Sequence, residues 1–412
     1  MGRRVVVTGM GAITPVGNDV PSFWNSLIAG KNGINRITKF DPSEFKVKLA
    51  AEVKNFQPEN YMDKSMIRRT DLYCQYALAA ASQAMTDSGI SGKIKPERLG
   101  VYVGSGIGGM KTFMEEEDKL RAKGPKRVSP FFIPKLISNI AAGHIAIQYH
   151  AKGPSMCVVT ACATSATAVG EAYRAIQHGD ADAMITGGAE ATINELAVAG
   201  FTNCMALTSS EDPSAASIPF DKRRSGFVMG EGGAILILEE YGHAVSRGAK
   251  IYAEICGYGN TNDAYHMTAP DPEATGAANA IRIAVREAAM PQNSRLYINA
   301  HGTSTLLNDK TETLAFKKAL GEESARKALI SSTKSMTGHM LGATGAAEAI
   351  VCVLVLCHGI VPPTIGYQEP DPECDLDYVP NTARKAEIDY AISTNLGFGG
   401  HNACLVFRKA DQ

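Results

Sequence analysis

The sequence predicts an α/β protein made of a duplicated unit whose two halves share one core. Three observations carry that prediction. Short β-branched, apolar runs alternate with longer alanine-rich stretches along all 412 residues. The runs fall into two series of similar content, each closing on a pair of strands. No segment rich in proline, serine or charge separates the series. The best seam is EYGHAVSRGAK at 240–250, which divides the chain into 1–250 and 251–412.

Taken in order, the first series has strands at 4–9 (RVVVTG), 99–105, 157–161 (CVVTA), 182–188 and 233–240. The second has strands at 251–259, 296–302, 329–335, 390–395 and 403–409. Each is a run of Val, Ile, Tyr or Phe bounded by turn residues. Helices are predicted between them at 71–88, 165–178, 274–289 and 345–357, in alanine-rich stretches.

Composition narrows the class. Hydrophobic residues make up 45% and charged residues 20%, enough to build a core without disulfides or metals. A net charge of −1 gives no argument for nucleic acid or a membrane surface as partner. The nine cysteines include no CxxC pair and lie mostly in apolar runs, as Cys352 and Cys357 do, which suits a reducing compartment. The chain opens directly on a strand, and its longest apolar run, 349–357, falls short of the roughly 20 residues of a membrane span. The expectation is a cytoplasmic protein.

Five stretches carry chemistry. GSGIGG at 104–109 fits G-x-G-x-x-G after a strand, but the region 20 residues on is basic rather than acidic. A close-approach loop fits better than a dinucleotide site. Cys162, in CVVTACATSATAVGEAYRAI, falls where a strand gives way to a helix of small residues. A thiol at a helix N-terminus is favoured as thiolate, the nucleophilic form. A buried structural cysteine is the alternative. His301 (NAHGTST) and His339 (KSMTGHMLGATG) occupy equivalent places at the ends of successive strands, where α/β sheets bind ligands. Neutral imidazoles there could donate to a thioester carbonyl gaining negative charge. Zinc is the rival, but no H-x-x-H, H-E-x-x-H or CxxC spacing supports it. Glu348 lies on an apolar helix and needs a partner, for which Lys334 is nearest in sequence. GFGGHN at 397–402 could aim an N–H at a ligand or merely turn a hairpin. Basic clusters at Lys64, Arg68 and Arg69, at Lys123, Lys126 and Arg127, and at Lys222, Arg223 and Arg224 are either solvated faces or docking points for an acidic carrier.

Together, TACATS, NAHGTST, KSMTGHMLGATGAAE and NLGFGGHN resemble the β-ketoacyl-acyl-carrier-protein synthases, nearly end to end, and DAYHMTAPDPEATG looks more like their type II, fatty-acid-elongating members. The resemblance implies a thiolase-like fold, two βαβαβαββ halves in five αβαβα layers, and a homodimer. It implies no cofactor or metal, and acyl- and malonyl-loaded acyl carrier protein as partner. By the same resemblance Cys162 holds the acyl chain, and the N–H groups of Cys162 and Phe398 form an oxyanion hole. His301 and His339 stabilise the enolate left by decarboxylation, and Lys334 with Glu348 and Glu312 supports them. Thr303 and Thr305 hold the pantetheine arm. Phe398 is the gate, with Ile107, Phe132, Phe201 and Gly399 at the substrate pocket. Lys64, Arg68, Arg69, Lys126 and Arg127 are its candidates for carrier docking. Leu306 stands where many relatives carry proline.

Three neighbouring classes fit less well. A degradative thiolase carries a second cysteine in a C-terminal CxG motif, which GFGGHNAC lacks. Initiating and chalcone-type enzymes have asparagine in place of His339. A non-catalytic chain-length partner lacks the nucleophile that Cys162 supplies, whereas a free-standing polyketide ketosynthase stays open as the alternative.

Overall fold

A computed structural model describes residues 2–410. Ten strands and six principal helices carry the architecture. The strands are β1 (Val5–Ile13), β2 (Leu99–Gly104), β3 (Ser155–Met156), β4 (Ala183–Glu190), β5 (Gly232–Glu240), β6 (Ala253–Asn262), β7 (Leu296–Asn299), β8 (Leu329–Ser331), β9 (Tyr390–Gly397) and β10 (His401–Arg408). The helices are α1 (Leu72–Ser88), α2 (Ile140–Tyr149), α3 (Thr164–His178), α4 (Thr275–Glu287), α5 (Leu306–Leu320) and α6 (Thr344–His358).

The duplication is visible in strand order. The first half runs β3-β2-β4-β5-β1 and the second β8-β7-β9-β10-β6, in both cases third, second, fourth, fifth, first. Parallel and antiparallel pairings fall at the same places in both halves. Val5, Val6 and Val7 of β1 pair with Ile255, Glu254 and Ala253 of β6, so the halves join in one ten-stranded ladder.

Side-chain alternation makes the layers. In β5, Leu236 and Leu238 face a central core around α3 and α6, while Ile235 and Ile237 face an outer core with α1 and α2. In the second half Leu405 and Phe407 join the central core, and Val406 faces a third core under α4 and α5. The result is the five-layer thiolase-like arrangement.

The two central helices approach closely because their faces are small. A Cβ on Gly345 would sit 2.6 Å from the Ala166 nitrogen, and the Ala346 N–H donates to Ser165 Oγ at 2.9 Å. The first turns of α3 and α6 therefore lie side by side. Leu341–His358, apolar and long enough to cross a membrane, is the buried core helix α6 with the turn before it.

Several local expectations shift. The strand predicted at 157–161 is confined to Ser155–Met156, and the chain passes instead into a 3₁₀ turn at Ala161–Ala163. The run predicted as strand at 329–335 ends at Ser331, and Lys334–Thr337 forms a short helix.

Candidate active site

Cys162 lies in the tight turn Ala161–Ala163, directly before α3. Its neighbour Ala161 holds φ at +50°, a left-handed conformation that side-chain-bearing residues avoid. The C-terminal end of β9 lies against this turn. A Cβ on Gly397 would come within 2.5 Å of the Thr160 oxygen and 3.2 Å of the Cys162 nitrogen, so glycine alone permits the approach. The approach aims the Phe398 N–H, together with that of Cys162, at the thiol.

Burial pushes the Cys162 thiol up to about 12; the positive charge of Lys334 opposes this, and the carboxyl of Glu190 adds to it. Desolvation thus works against the helix terminus, which favours the thiolate.

His301 follows β7 by two residues and is buried. Its N–H and that of Gly302 donate to the Glu312 carboxyl on α5 at 2.7 and 2.8 Å. Thr394 Oγ1 donates to the same group at 2.7 Å, and burial raises it to about 7. His339 is fixed from the other half: its N–H donates to the Val228 oxygen at 2.7 Å, and the Gly230 N–H to its oxygen at 2.8 Å. The two imidazoles stand nearly perpendicular with centroids 5.3 Å apart.

Both histidines are neutral. Burial and the charge of Lys334 hold each well below the usual imidazole range. The tautomer of His339 follows from its contacts. The Leu341 N–H donates to Nδ1 at 3.3 Å, and Thr344 Oγ1 is 3.1 Å away. Nδ1 is therefore the acceptor and Nε2 carries the proton. Among the described residues Nε2 has no hydrogen-bond partner, so its N–H is free to donate to a ligand.

Lys334 ion-pairs with Glu348, and both side chains are almost fully buried. Asn395 Nδ2 donates to the other carboxylate oxygen at 2.6 Å. Burial raises the Glu348 carboxyl to about 7, against the pull of Lys334.

Cys162, His301, His339, Thr303, Thr305 and Phe398 line one cavity of about 380 Å³. The two threonine hydroxyls lie 2.9 Å apart, and Leu306 begins α5 with its side chain exposed at the rim. An electrophilic carbonyl in this cavity would meet a thiol, two N–H groups beside it and two neutral imidazoles.

Residues 2–244 match the family described as beta-ketoacyl synthase, N-terminal domain, and residues 252–368 its C-terminal domain. The chain belongs to the β-ketoacyl synthase family. It is 51% identical over 408 residues to a 3-oxoacyl-[acyl-carrier-protein] synthase 2 of Staphylococcus aureus, covering 99% of this chain and 98% of that one. A Synechocystis protein of the same name is 49% identical over 409 residues, with the same coverage. Among solved structures, a type II polyketide acyl-carrier protein in complex with its ketosynthase superposes with a TM-score of 0.92 at 37% identity, each chain covered completely. A Burkholderia phymatum β-ketoacyl synthase gives 0.91 at 34%, covering 99% of this chain and all of that one.

Not every expected residue of this synthase reaches the cavity wall. Phe201 packs with Cys162 on a cluster that includes Ile193, Val198, Phe227 and Leu341, its ring 6.4 Å from that of Phe398. Gly399 lies behind Phe398 and donates its N–H to the Met267 oxygen at 2.7 Å. Ile107 is exposed, and Phe132 packs at a tilt against Phe113; neither lines the cavity. Lys64, Arg68, Arg69, Lys126 and Arg127 are all exposed. The Arg69 guanidinium over the Phe131 ring, 5.2 Å from its centroid, brings the helix Lys64–Arg69 against the segment that carries Lys126 and Arg127. In the third basic cluster only Lys222 is exposed. Arg224 is buried and pairs with Asp371, while Arg223 pairs with Asp221.

GSGIGG is spent on structure: the Gly106 and Ile107 N–H groups donate to Glu190, leaving no empty phosphate cradle there. Glu190 itself was missed by sequence reasoning. Its signal was present, since a carboxylate ending the otherwise uncharged strand AMITGGAE must find several donors.

Proposed function

We propose that this chain elongates acyl chains by decarboxylative condensation, with acyl and malonyl groups delivered as thioesters of acyl carrier protein. Cys162 Sγ attacks the acyl thioester carbonyl while the N–H groups of Cys162 and Phe398 hold the oxygen. The carrier leaves as its thiol, taking up one proton for the one Cys162 gives. A malonyl thioester then binds with its carbonyl oxygen facing His301 and His339. Loss of carbon dioxide leaves an enolate, and the neutral imidazoles stabilise it as donors. Its carbon attacks the acyl-Cys162 carbonyl, the C–S bond breaks, Cys162 Sγ takes up one proton from solvent, and a β-ketoacyl carrier two carbons longer departs. Lys334 and Glu348 order the second histidine loop, Glu312 orders the first, and Thr303 and Thr305 hold the pantetheine arm.

The observation that carries this reading is the pair of neutral, mutually perpendicular imidazoles facing one cavity with a nucleophile-bearing turn. Cys162→Ala should abolish acyl transfer to the enzyme while malonyl-carrier decarboxylation persists, measured by radiolabelled acylation and carbon dioxide release. Condensation by Cys162→Ala at the wild-type rate would falsify the assignment.

The relatives named 3-oxoacyl-[acyl-carrier-protein] synthase 2 favour fatty acid elongation. The type II polyketide ketosynthase neighbour, bound to a hexaketide, favours a second reading, repeated condensation on one growing chain. A single product two carbons longer, against a series of poly-β-keto products, separates the two.

Other features support the remaining assignments. The edge strand β3 and the exposed apolar Phe113, Phe131, Ile133, Ile137, Met156 and Val159 support a homodimer built on this face. Ile107 and Phe132 would then line the acyl pocket at that interface. The joined patch of Lys64, Arg68, Arg69, Lys126 and Arg127 is assigned to carrier docking, and the halves to 1–250 and 251–412.

A further inference from the structure

One buried carboxylate beside the nucleophile has no part in the mechanism above. Glu190 ends β4 with no exposed surface. It accepts from Ser105 Oγ at 2.9 Å, from the Gly106 N–H at 2.8 Å and from the Ile107 N–H at 3.3 Å, all in the loop after β2. It also accepts from the Gly342 N–H at 3.1 Å, in the turn after His339. One side chain thereby ties two loops from different halves of the fold.

The backbone is shaped around this group. A Cβ on Gly106 or on Gly342 would lie 2.7 Å from Glu190 Oε2, and one on Gly342 also 2.5 Å from the Gly106 nitrogen, so a side chain at either donor would push on this carboxylate. Leu341, between His339 and Gly342, holds φ at +47°, which is strained without an anchor. Its N–H is the one that donates to His339 Nδ1. Gly342 on Glu190 and Leu341 on His339 are therefore consecutive links of one chain.

We propose that Glu190 is a positioning residue, which holds the 341–342 turn so that His339 presents its Nε2 proton to the malonyl carbonyl, and which locks the 105–107 loop to that turn. This rests on the decarboxylative role proposed for His339. The hydrogen-bonding shape of the side chain matters more than its charge. Glutamine keeps most of that shape: its oxygen can take the Oε2 position and accept from Gly106 and Gly342, and its amide can donate to Ser105 Oγ, which can rotate to accept, so only the long bond from the Ile107 N–H is lost. Alanine loses both anchors.

The test compares Glu190→Gln and Glu190→Ala in the full-length protein, with malonyl-carrier decarboxylation and acyl transfer to Cys162 measured separately. Glu190→Ala should lose decarboxylation about tenfold or more, the effect of leaving a buried N–H donor unsatisfied, while acyl transfer falls far less. Glu190→Gln should restore decarboxylation to within about threefold of wild type, since the bonds to both loops are kept. The ¹⁵N shifts of His339 should report one Nε2-protonated tautomer in wild type and Glu190→Gln, and a mixture in Glu190→Ala. Unchanged decarboxylation in a folded Glu190→Ala overturns the proposal, as does an equal loss of both half-reactions. If Glu190→Ala does not fold, a Glu190→Gln protein as impaired as a His339→Ala control overturns it. Wild-type protein that releases no carbon dioxide would instead sink the role of His339 itself.

Discussion

The chemistry of Cys162 depends on what surrounds the sulfur. Burial raises it to about 12, so below that pH the thiol form dominates and each added pH unit increases the thiolate. Alkylation of Cys162 by iodoacetamide should therefore climb about tenfold per pH unit between pH 7 and 9, with no plateau. A rate that levels off below pH 8 would mean a thiolate already formed at rest. Lys334 sits in a different balance. It and Glu348 are both almost fully buried, so removing one strands the other's charge. Lys334→Ala should lower unfolding free energy by about 3–5 kcal/mol, measured by denaturant titration, and replacing the pair with Met and Leu should recover most of that loss without activity.

Elements carry the geometry that residues use. The nucleophile and the second histidine meet because α3 and α6 start side by side, and they can do so only across small residues. Gly345→Ala places a methyl group 2.6 Å from the Ala166 nitrogen and 2.7 Å from its Cβ. It should cost about 1–3 kcal/mol by thermal or denaturant unfolding and slow acyl transfer as the two first turns separate. Sequence periodicity found these helices, together with nearly every strand, because each is long or rich in β-branched residues. The turn at Ala161–Ala163 escaped it. CVVTA has strong strand propensity, and only packing of β9 against it, through Gly397, forces the left-handed Ala161. Lys334 with Glu348 was legible from the cost of burying a carboxylate. Glu190 follows the same logic, but its donors come from two distant loops, and no local spacing announces them.

The whole chain is a duplicated sheet folded about two shared helices, and its halves contribute unequally. The first supplies the thiol, and the second supplies both histidines, Lys334 and Phe398. That division was legible from the order of motifs, whereas the single ladder through β1 and β6 was not, since strand pairing between halves leaves no periodic mark. Long-range charge belongs at this level too. The net charge of −1 hides a local patch in which the Arg69–Phe131 contact brings two basic segments together. An acidic carrier docking there would gain mostly in encounter rate and orientation, not in chemistry. Arg69→Glu with Lys126→Glu should raise KM for malonyl-carrier protein about tenfold and flatten its dependence on salt, with kcat nearly unchanged. The same double variant should handle malonyl-pantetheine, which lacks the carrier's acidic surface, as wild type does. Equal loss on both substrates would place these residues in the fold of the cavity rather than at a docking surface.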